Sequence, residues 1–244
     1  MKNYIKIPNL PEEKVNAVLV DFRICKDSIK TLNSLGIKVY TTKSTNSLYD
    51  AISGHPDVVF HHLGDKKFVV SPENADYFSS IPEIEIIVGE SILSSKYPDD
   101  IAYNAARVGN FLIHNFKYTD KMILNHSEHL TKINVNQGYS KCSICVVDEN
   151  AIITSDMGIA KKCDLHGIDV LFVNDENIKL PGVSHGFFGG ATGKISKNIL
   201  AVNGDINYHK NHKEIINFLD KYNIKIATLN PGIIEDIGTI IGLY

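Results

Sequence analysis

The sequence lacks the features that mark several large classes of protein. It contains no run of about eighteen apolar residues, the shortest length that a membrane-spanning helix needs, so we expect no membrane partner. Its 25 basic and 28 acidic residues leave a net charge of −3, which is too small to attract nucleic acid or anionic lipid. Lys2 and Lys6 interrupt the N-terminal stretch, so the sequence predicts no secretory signal.

Cysteine is also scarce, with four residues in 244. Cys142 and Cys145 have the spacing of a metal or redox motif, but no second such pair accompanies them. They fall in a run, 142–147, that predicts a strand, where residues three apart point to opposite faces. The pattern therefore favours reduced thiols in a cytoplasmic protein, with no disulfide, no metal and no cofactor.

What the sequence does contain is a repeated pattern of strand, strand, helix and strand. The repeats cover residues 15–50, 55–90, 99–136, 139–175 and 186–230. The second strands are predicted to end at positions spaced by 50, 44, 41 and 49 residues, namely Asp21, Ser71, Asn115, Asp156 and Asp205. Such a period predicts an array of units, although ββαβ units also recur by chance in α+β proteins.

The first unit lacks an opening strand, and the C-terminal run 236–241 predicts a strand with no helix after it. The simplest arrangement is circular, with this last strand pairing beside residues 15–20. The sequence therefore predicts a single α/β domain over residues 1–244, made of five ββαβ units with pseudo-five-fold symmetry.

This arrangement resembles the pentein, or α/β-propeller, fold of guanidino-group-modifying enzymes. Several motifs are similar to those of a family of this fold known mainly from clostridia and related bacteria, which carries a domain-of-unknown-function label. These motifs are QGYSKCS at 137–143, ITSD at 153–156, GFFGGATG at 186–193, NGD at 203–205 and DIG at 236–238. The resemblance extends over residues 15–244.

The resemblance implies a polar pocket on the pseudo-five-fold axis. Enzymes of this fold carry a nucleophilic cysteine in the C-terminal segment, a histidine in a middle unit, and carboxylates that bind the guanidinium group. The C-terminal segment here, GIIEDIGTI at 232–240, contains no cysteine, which puts that mechanism in doubt. Thr239 would need an adjacent base to act in its place.

Several polar residues are nevertheless candidates for a site. The acidic ones, which could bind a cation or simply cap the helices that follow them, are Asp21, Asp156, Asp205 and Asp236. Asn104, in the predicted strand 101–107, is a candidate hydrogen-bonding residue. Cys142 stands where the related enzymes tend to place their histidine, and it is either a nucleophile or a small buried side chain. His62 or His185 would be the proton shuttle.

Two functions remain open from the sequence. One is a hydrolase or amidinotransferase-like enzyme acting on a small cationic ligand of the guanidine or amidine type. The other is a non-catalytic binding protein that uses the propeller face as a platform, as the ribosome anti-association initiation factor of this fold does. The sequence does not decide whether the chain is an enzyme, and it predicts no oligomeric state.

Overall fold

The computed structural model describes residues 4–244, which form fifteen short strands and seven α-helices. The strands are β1 Ala17–Val20, β2 Lys38–Thr41, β3 Phe60–Gly64, β4 Lys67–Val70, β5 Glu85–Val88, β6 Ala106–Val108, β7 Phe111–His114, β8 Thr131–Asn134, β9 Ile144–Asp148, β10 Ala151–Thr154, β11 Asp169–Phe172, β12 Thr192–Ser196, β13 Ile199–Val202, β14 Lys225–Thr228 and β15 Ile241–Gly242. The helices are α1 Lys26–Ser34, α2 Pro56–Val59, α3 Ala75–Phe78, α4 Lys121–His126, α5 Ser140–Ser143, α6 Met157–Asp164 and α7 His212–Lys221. Short 3-10 helices cover Asp50–Ile52, Pro72–Asn74, Gly189–Ala191 and Ile206–Tyr208.

The strands form five three-stranded sheets with the same connectivity. Their strand orders are β15-β1-β2, β3-β4-β5, β6-β7-β8, β9-β10-β11 and β12-β13-β14. In each sheet the middle strand pairs antiparallel with the first strand and parallel with the third. A helix joins the middle strand to the third, because two parallel neighbours need a crossover connection. The predicted five ββαβ units are confirmed.

The C-terminal strand closes the array, as predicted. β15 pairs antiparallel with β1, with Gly242 opposite Val18 and Ile241 opposite Leu19. The strand is shorter than the predicted run 236–241, because residues 236–240 form the turn that leads into it.

The middle strands are buried more completely than the third strands. All four residues of β1 and of β10 are buried, as expected for strands covered on both faces. The third strands β2 and β11 are partly exposed. None of the helices in residues 4–244 combines the length and the hydrophobicity that crossing a membrane requires.

One register prediction was wrong. In all five sheets the carbonyl of the last middle-strand residue accepts a hydrogen bond from the residue after the third strand. Counted from that bond, the equivalent next residues are Asp21, Ser71, Asn115, Ser155 and Asn203. Asp156 and Asp205 therefore lie one and two residues further along, because the last two middle strands end at Thr154 and Val202.

Candidate functional site

The turns that precede the first strands of the sheets meet at the centre of the molecule. These first strands also contact one another, since β6 packs against β9, β9 against β12, and β12 against β15. The turns bring five polar residues into one hydrogen-bonded group, which we call the axial cluster: Asp57, Asn104, Lys141, Cys142 and Thr239.

Asp57 is the centre of this cluster. It lies in α2, which begins with Pro56 at its first position, and it is 1% exposed. The Cys142 thiol donates towards both carboxylate oxygens, at 3.2 and 3.1 Å. The Thr239 hydroxyl donates to Oδ2 at 2.7 Å. One buried carboxylate therefore contacts both a thiol and a hydroxyl.

Asn104 connects three of these turns. Its Nδ2 donates to the Asp57 carbonyl at 3.1 Å and to Cys142 Sγ at 3.3 Å. Its Oδ1 accepts from the backbone N–H groups of Lys141 and Cys142 at 2.8 and 3.3 Å. These N–H groups belong to the free first turn of α5, so Asn104 acts as a cap supplied from another unit.

The structure corrects the predicted starts of two strands near this cap. The strand predicted over 142–147 begins at Ile144, and Cys142 lies in the helical turn α5. The strand predicted over 101–107 begins at Ala106, so Asn104 lies in the loop before it. Both residues are in turns, and their side chains point to the centre rather than alternating across a sheet.

Lys141 and Thr239 complete the cluster. Lys141 Nζ donates to Thr239 Oγ1 at 3.2 Å and to the Ile144 carbonyl at 3.4 Å. Burial lowers the pKa of the Lys141 ammonium, although the nearby Asp57 carboxylate opposes that shift. Thr239 has φ +76°, a left-handed conformation that is strained for a β-branched residue.

Cys142 is a free thiol that is 2% exposed. Burial raises its pKa well above the ordinary value, and the carboxylates of Asp57 and Asp236 add to that shift. The thiol is therefore protonated at rest, as its hydrogen bonds to Asp57 require.

His55 and Asp236 form a buried pair beside the cluster, with Nε2 and Oδ1 4.0 Å apart. The Asp236 carboxylate accepts from the Gly238 N–H at 2.9 Å and from the Phe187 N–H at 2.8 Å. Burial raises the pKa of this carboxyl.

Among residues 4–244, neither ring nitrogen of His55 has a hydrogen-bond partner. The donor atoms of His55, Asp57 and Cys142 all lie within 4.8 Å of one another, a grouping suited to a metal ion.

The glycine-rich segment makes room for this pair. A Cβ atom on Gly190 would lie 2.1 Å from Asp236 Oδ1, so no larger residue fits there without displacement. Gly190 also accepts backbone hydrogen bonds from Ile237 and Thr239 through its carbonyl. The backbone of this segment therefore packs directly against the residues at the centre of the molecule.

The space beside the cluster is small. A cavity of about 20 Å³, lined by residues that include Asp57, Lys141, His62 and Arg107, adjoins it. A cavity needs roughly 10–15 Å³ to hold a water molecule, so this one has room for about a single water. The cluster is therefore closed in this conformation.

The structure brings together three of the residues selected from the sequence, which are Asn104, Cys142 and Asp236. His62 lines the small cavity, but its Nε2 faces the Asp65 carbonyl at 3.1 Å and its ring stacks on Phe68. Burial lowers the pKa of His62 to about 4. His185 is exposed, and its Nδ1 lies 3.0 Å from the Gly186 carbonyl.

The other three aspartates have local partners. Both oxygens of Asp21 bind the Arg23 guanidinium, with Nε at 2.9 Å from Oδ1 and Nη2 at 2.5 Å from Oδ2. Asp156 caps α6 by accepting from the Ile159 N–H at 2.8 Å. Asp205 accepts from the N–H of Asn207 at 2.9 Å, at the start of a 3-10 helix. The capping alternative accounts for the contacts of the last two.

Four residues of the centre were missed as site residues from the sequence, namely His55, Asp57, Lys141 and Thr239. Each lies in a turn that leads into the first strand of a sheet, as Asn104 and Cys142 do. Their shared place before a first strand is the signal that unites them, but no local sequence motif marks it.

Comparison with known proteins agrees with this architecture. Residues 19–241 match the model of a family of unknown function (DUF6873). The chain belongs to that family. Among curated proteins, no sequence matches it.

Solved structures of guanidino-modifying enzymes share the fold. The inosamine-phosphate amidinotransferase of Streptomyces griseus is 10% identical with a TM-score of 0.57, over 98% of this chain and 96% of that one. The C. jejuni agmatine deiminase is 11% identical with a TM-score of 0.53, over 96% and 92%. The DDAH of Pseudomonas aeruginosa, complexed with citrulline, is 6% identical with a TM-score of 0.54, over 92% and 93%. The fold of this family member is the pentein fold.

Proposed function

We propose that the axial cluster binds a small guanidine- or amidine-like cation and that the protein is a hydrolase or transferase acting on a C–N bond of that ligand. One observation carries the proposal: the buried Asp57 carboxylate contacts the Cys142 thiol and the Thr239 hydroxyl where the five units meet. The pentein fold shared with guanidino-modifying enzymes supports the choice of ligand class.

Asp57 would recognise the cation. A carboxylate accepts two parallel N–H bonds from a planar guanidinium or amidinium group, and such charge-assisted pairs are stronger than neutral hydrogen bonds. Asp57 now accepts from Cys142 and Thr239 instead, so the ligand would replace these two donors. Asp236, also buried, would add a second carboxyl group nearby.

Binding of the cation would activate Cys142. A positive charge beside a thiol favours the thiolate, which reverses the effect of the neighbouring carboxylates. Lys141, whose pKa burial lowers, would accept the thiol proton in its neutral form, since it lies close enough to Cys142 for their charges to interact. Sγ would then form a bond to the central carbon of the ligand. The C–N bond to the leaving amine would break, and Lys141 would return the proton to that amine.

The second half of the reaction would define the class of enzyme. Attack by water on the sulfur-bound carbon would make the protein a hydrolase, and attack by an amine would make it a transferase. In both cases the closed cluster must open, because the adjoining cavity has a volume of about 20 Å³. We also propose that the protein acts in a reducing compartment such as the cytoplasm, since all four thiols are free.

The non-catalytic alternative is favoured by a specific observation. The cluster is closed, its polar groups bind one another, and burial raises the pKa of Cys142. In that reading the cluster is a polar core that holds the five units together, and the outer face of the propeller binds a partner.

A ligand screen separates the two functions. L-Arginine, agmatine, methylguanidine and acetamidine are tested for thermal stabilisation and for release of ammonia, urea or amine, with a chelator present throughout. We expect Asp57→Asn to lose both binding and turnover, and Cys142→Ala to lose turnover while still binding. Asp205→Asn, which changes an aspartate outside the cluster, is the matched control. Turnover that survives in Cys142→Ala would refute the assigned nucleophile, and a screen without binding would favour the non-catalytic alternative.

A further inference from the structure

We infer that His55, Asp57 and Cys142 form a binding site for a divalent transition metal, and that Zn²⁺ fits it best. The three donor atoms lie within 4.8 Å of one another, and all three side chains are buried. The inference does not depend on guanidine chemistry, because it rests on the arrangement of donors alone.

The unpaired state of His55 is the first argument. The residue is 1% exposed, and within residues 4–244 neither of its ring nitrogens has a hydrogen-bond partner. Leaving a buried polar group unsatisfied is costly, so native proteins rarely do so without a reason. The backbone of Gly238 packs against the base of this side chain, since a Cβ on Gly238 would lie 2.3 Å from His55 Cβ. An imidazole buried beside a thiol and a carboxylate suits a metal ligand.

Charge is the second argument. The carboxyl groups of Asp57 and Asp236 are both buried at this centre, and Lys141 is the basic side chain of the axial cluster. Two carboxyl groups therefore face one lysine side chain in a site closed to water, where unbalanced charge is costly. A divalent cation between Asp57, Cys142 and His55 would balance the negative charge.

The chemistry of the donors selects the metal. A thiolate, an imidazole and a carboxylate are the ligands that Zn²⁺ takes in proteins, with bonds of about 2.0–2.3 Å. At tetrahedral angles such bonds place the ligand atoms about 3.3–3.6 Å apart. Cys142 Sγ and the Asp57 oxygens are already 3.1 and 3.2 Å apart, so the histidine ring has the largest distance to close.

Metal binding would exchange one proton for the ion. The S–H bond of Cys142 breaks, the proton goes to solvent, and Sγ bonds to the metal. Asp57 then coordinates the metal in place of the hydrogen bond from the thiol. Its Oδ2 still accepts the hydrogen bond from the Thr239 hydroxyl. Asp236 Oδ1, 4.0 Å from His55 Nε2, is placed to orient the ring as a positioning residue, which leaves Nδ1 to bind the ion. A fourth coordination position stays open.

The proposed ligands are not the pair of residues that the sequence spacing suggests. The Cys142 and Cys145 pair suggests a motif, but Cys145 lies in β9 and packs in the apolar core with Val147 and Ile153. The ligands proposed here are separated by up to 87 residues, between His55 and Cys142, and only the circular arrangement of units brings them together.

Cobalt titration of the full-length reduced protein tests the site, in the absence of any guanidine. We expect one Co²⁺ per chain, with the absorption of tetrahedral cobalt and a thiolate-to-cobalt charge-transfer band, and displacement by Zn²⁺. His55→Gln and Cys142→Ser should each weaken binding more than about 100-fold, and Cys142→Ser should abolish the charge-transfer band. Asp236→Asn should weaken binding about 10–100-fold and retain the band.

Cys25→Ser is the matched control, because it removes the one exposed thiol, and it should bind as the wild type does. Circular dichroism establishes that each variant is folded. If a variant does not fold, cadmium NMR of the wild type reports the sulfur, nitrogen and oxygen donor set directly. A band that persists in Cys142→Ser or disappears in Cys25→Ser would overturn the site, as would cadmium bound without sulfur. These outcomes leave the guanidine screen unaffected, because that screen contains a chelator.

Discussion

Acidification should destabilise the protein through the buried histidine at the end of β7. His114 is fully buried, and its Nε2 donates to the Gly138 carbonyl at 2.8 Å. Its Nδ1 lies 2.6 Å from the Thr119 hydroxyl, which therefore donates to it. The neutral ring is thus satisfied at both nitrogens. Burial lowers its pKa to about 4, although the bond to Gly138 opposes that shift.

The sign and size of the effect follow from this shift. An unfolded histidine has a pKa of about 6.5, so between about pH 6.5 and 4 the unfolded chain binds a proton that the native protein does not. The free energy of unfolding therefore falls as the pH falls through this window and is unaffected above it. For His114 the loss between about pH 7 and pH 5 is roughly 2 kcal/mol.

The assay is urea unfolding of the wild type and of His114→Gln at both pH values. Burial also lowers the pKa values of His61 and His62, to about 3 and about 4, whereas it raises that of Asp236. The wild type alone therefore reports a sum of opposing effects, and the difference between the two proteins isolates His114. We expect the variant to lose about 2 kcal/mol less than the wild type between these pH values. His185→Gln, which removes an exposed imidazole, is the matched control. Equal pH dependence in the wild type and His114→Gln would refute the reasoning.

Three further predictions concern caps, packing and thiols. Asp156→Ala removes the cap of α6 and a hydrogen bond from Gln137, so urea unfolding should show a loss of about 1 kcal/mol, and an unchanged midpoint would contradict this role. Gly190→Ala would place a Cβ 2.1 Å from Asp236 Oδ1 and should cost about 1–3 kcal/mol in the same assay, whereas native stability in the variant would show that the segment has free space. A thiol reagent should label one thiol per native chain, Cys25, and all four after denaturation, and a second fast-reacting thiol in the native protein would contradict the burial of the others.

The fold was predictable because each unit repeats the same order of strands and helix. A β-branched middle strand, a helix and a returning strand recur along the chain, and a lone C-terminal strand requires a partner at the N-terminus. The pairing of β15 with β1 confirms that closure. The spacing of the second-strand ends was less reliable, because a difference of one or two residues in strand length moves the equivalent position from Asp156 to Ser155 and from Asp205 to Asn203.

The site was only partly predictable, because its side chains come from turns. Cys142 and Asn104 were assigned to strands, and a strand alternates its side chains, whereas the actual turns direct both to the centre. Asp57 was missed because nothing near it in the sequence marks it, and its partners Cys142 and Thr239 are 85 and 182 residues away. Asp21 was a candidate to bind a cation, but its carboxylate is already paired with Arg23 of the same turn.

Calorimetric titration of the wild type and Asp57→Asn with agmatine, in the presence of a chelator, tests the proposed function most directly. The carboxylate of Asp57 is the group that would bind the cation, and the amide of asparagine has the same shape without the charge. We predict measurable binding to the wild type, none to Asp57→Asn, and unchanged binding to the control Asp205→Asn. Equal affinity of agmatine for the wild type and Asp57→Asn, or no binding to either, would contradict the proposal.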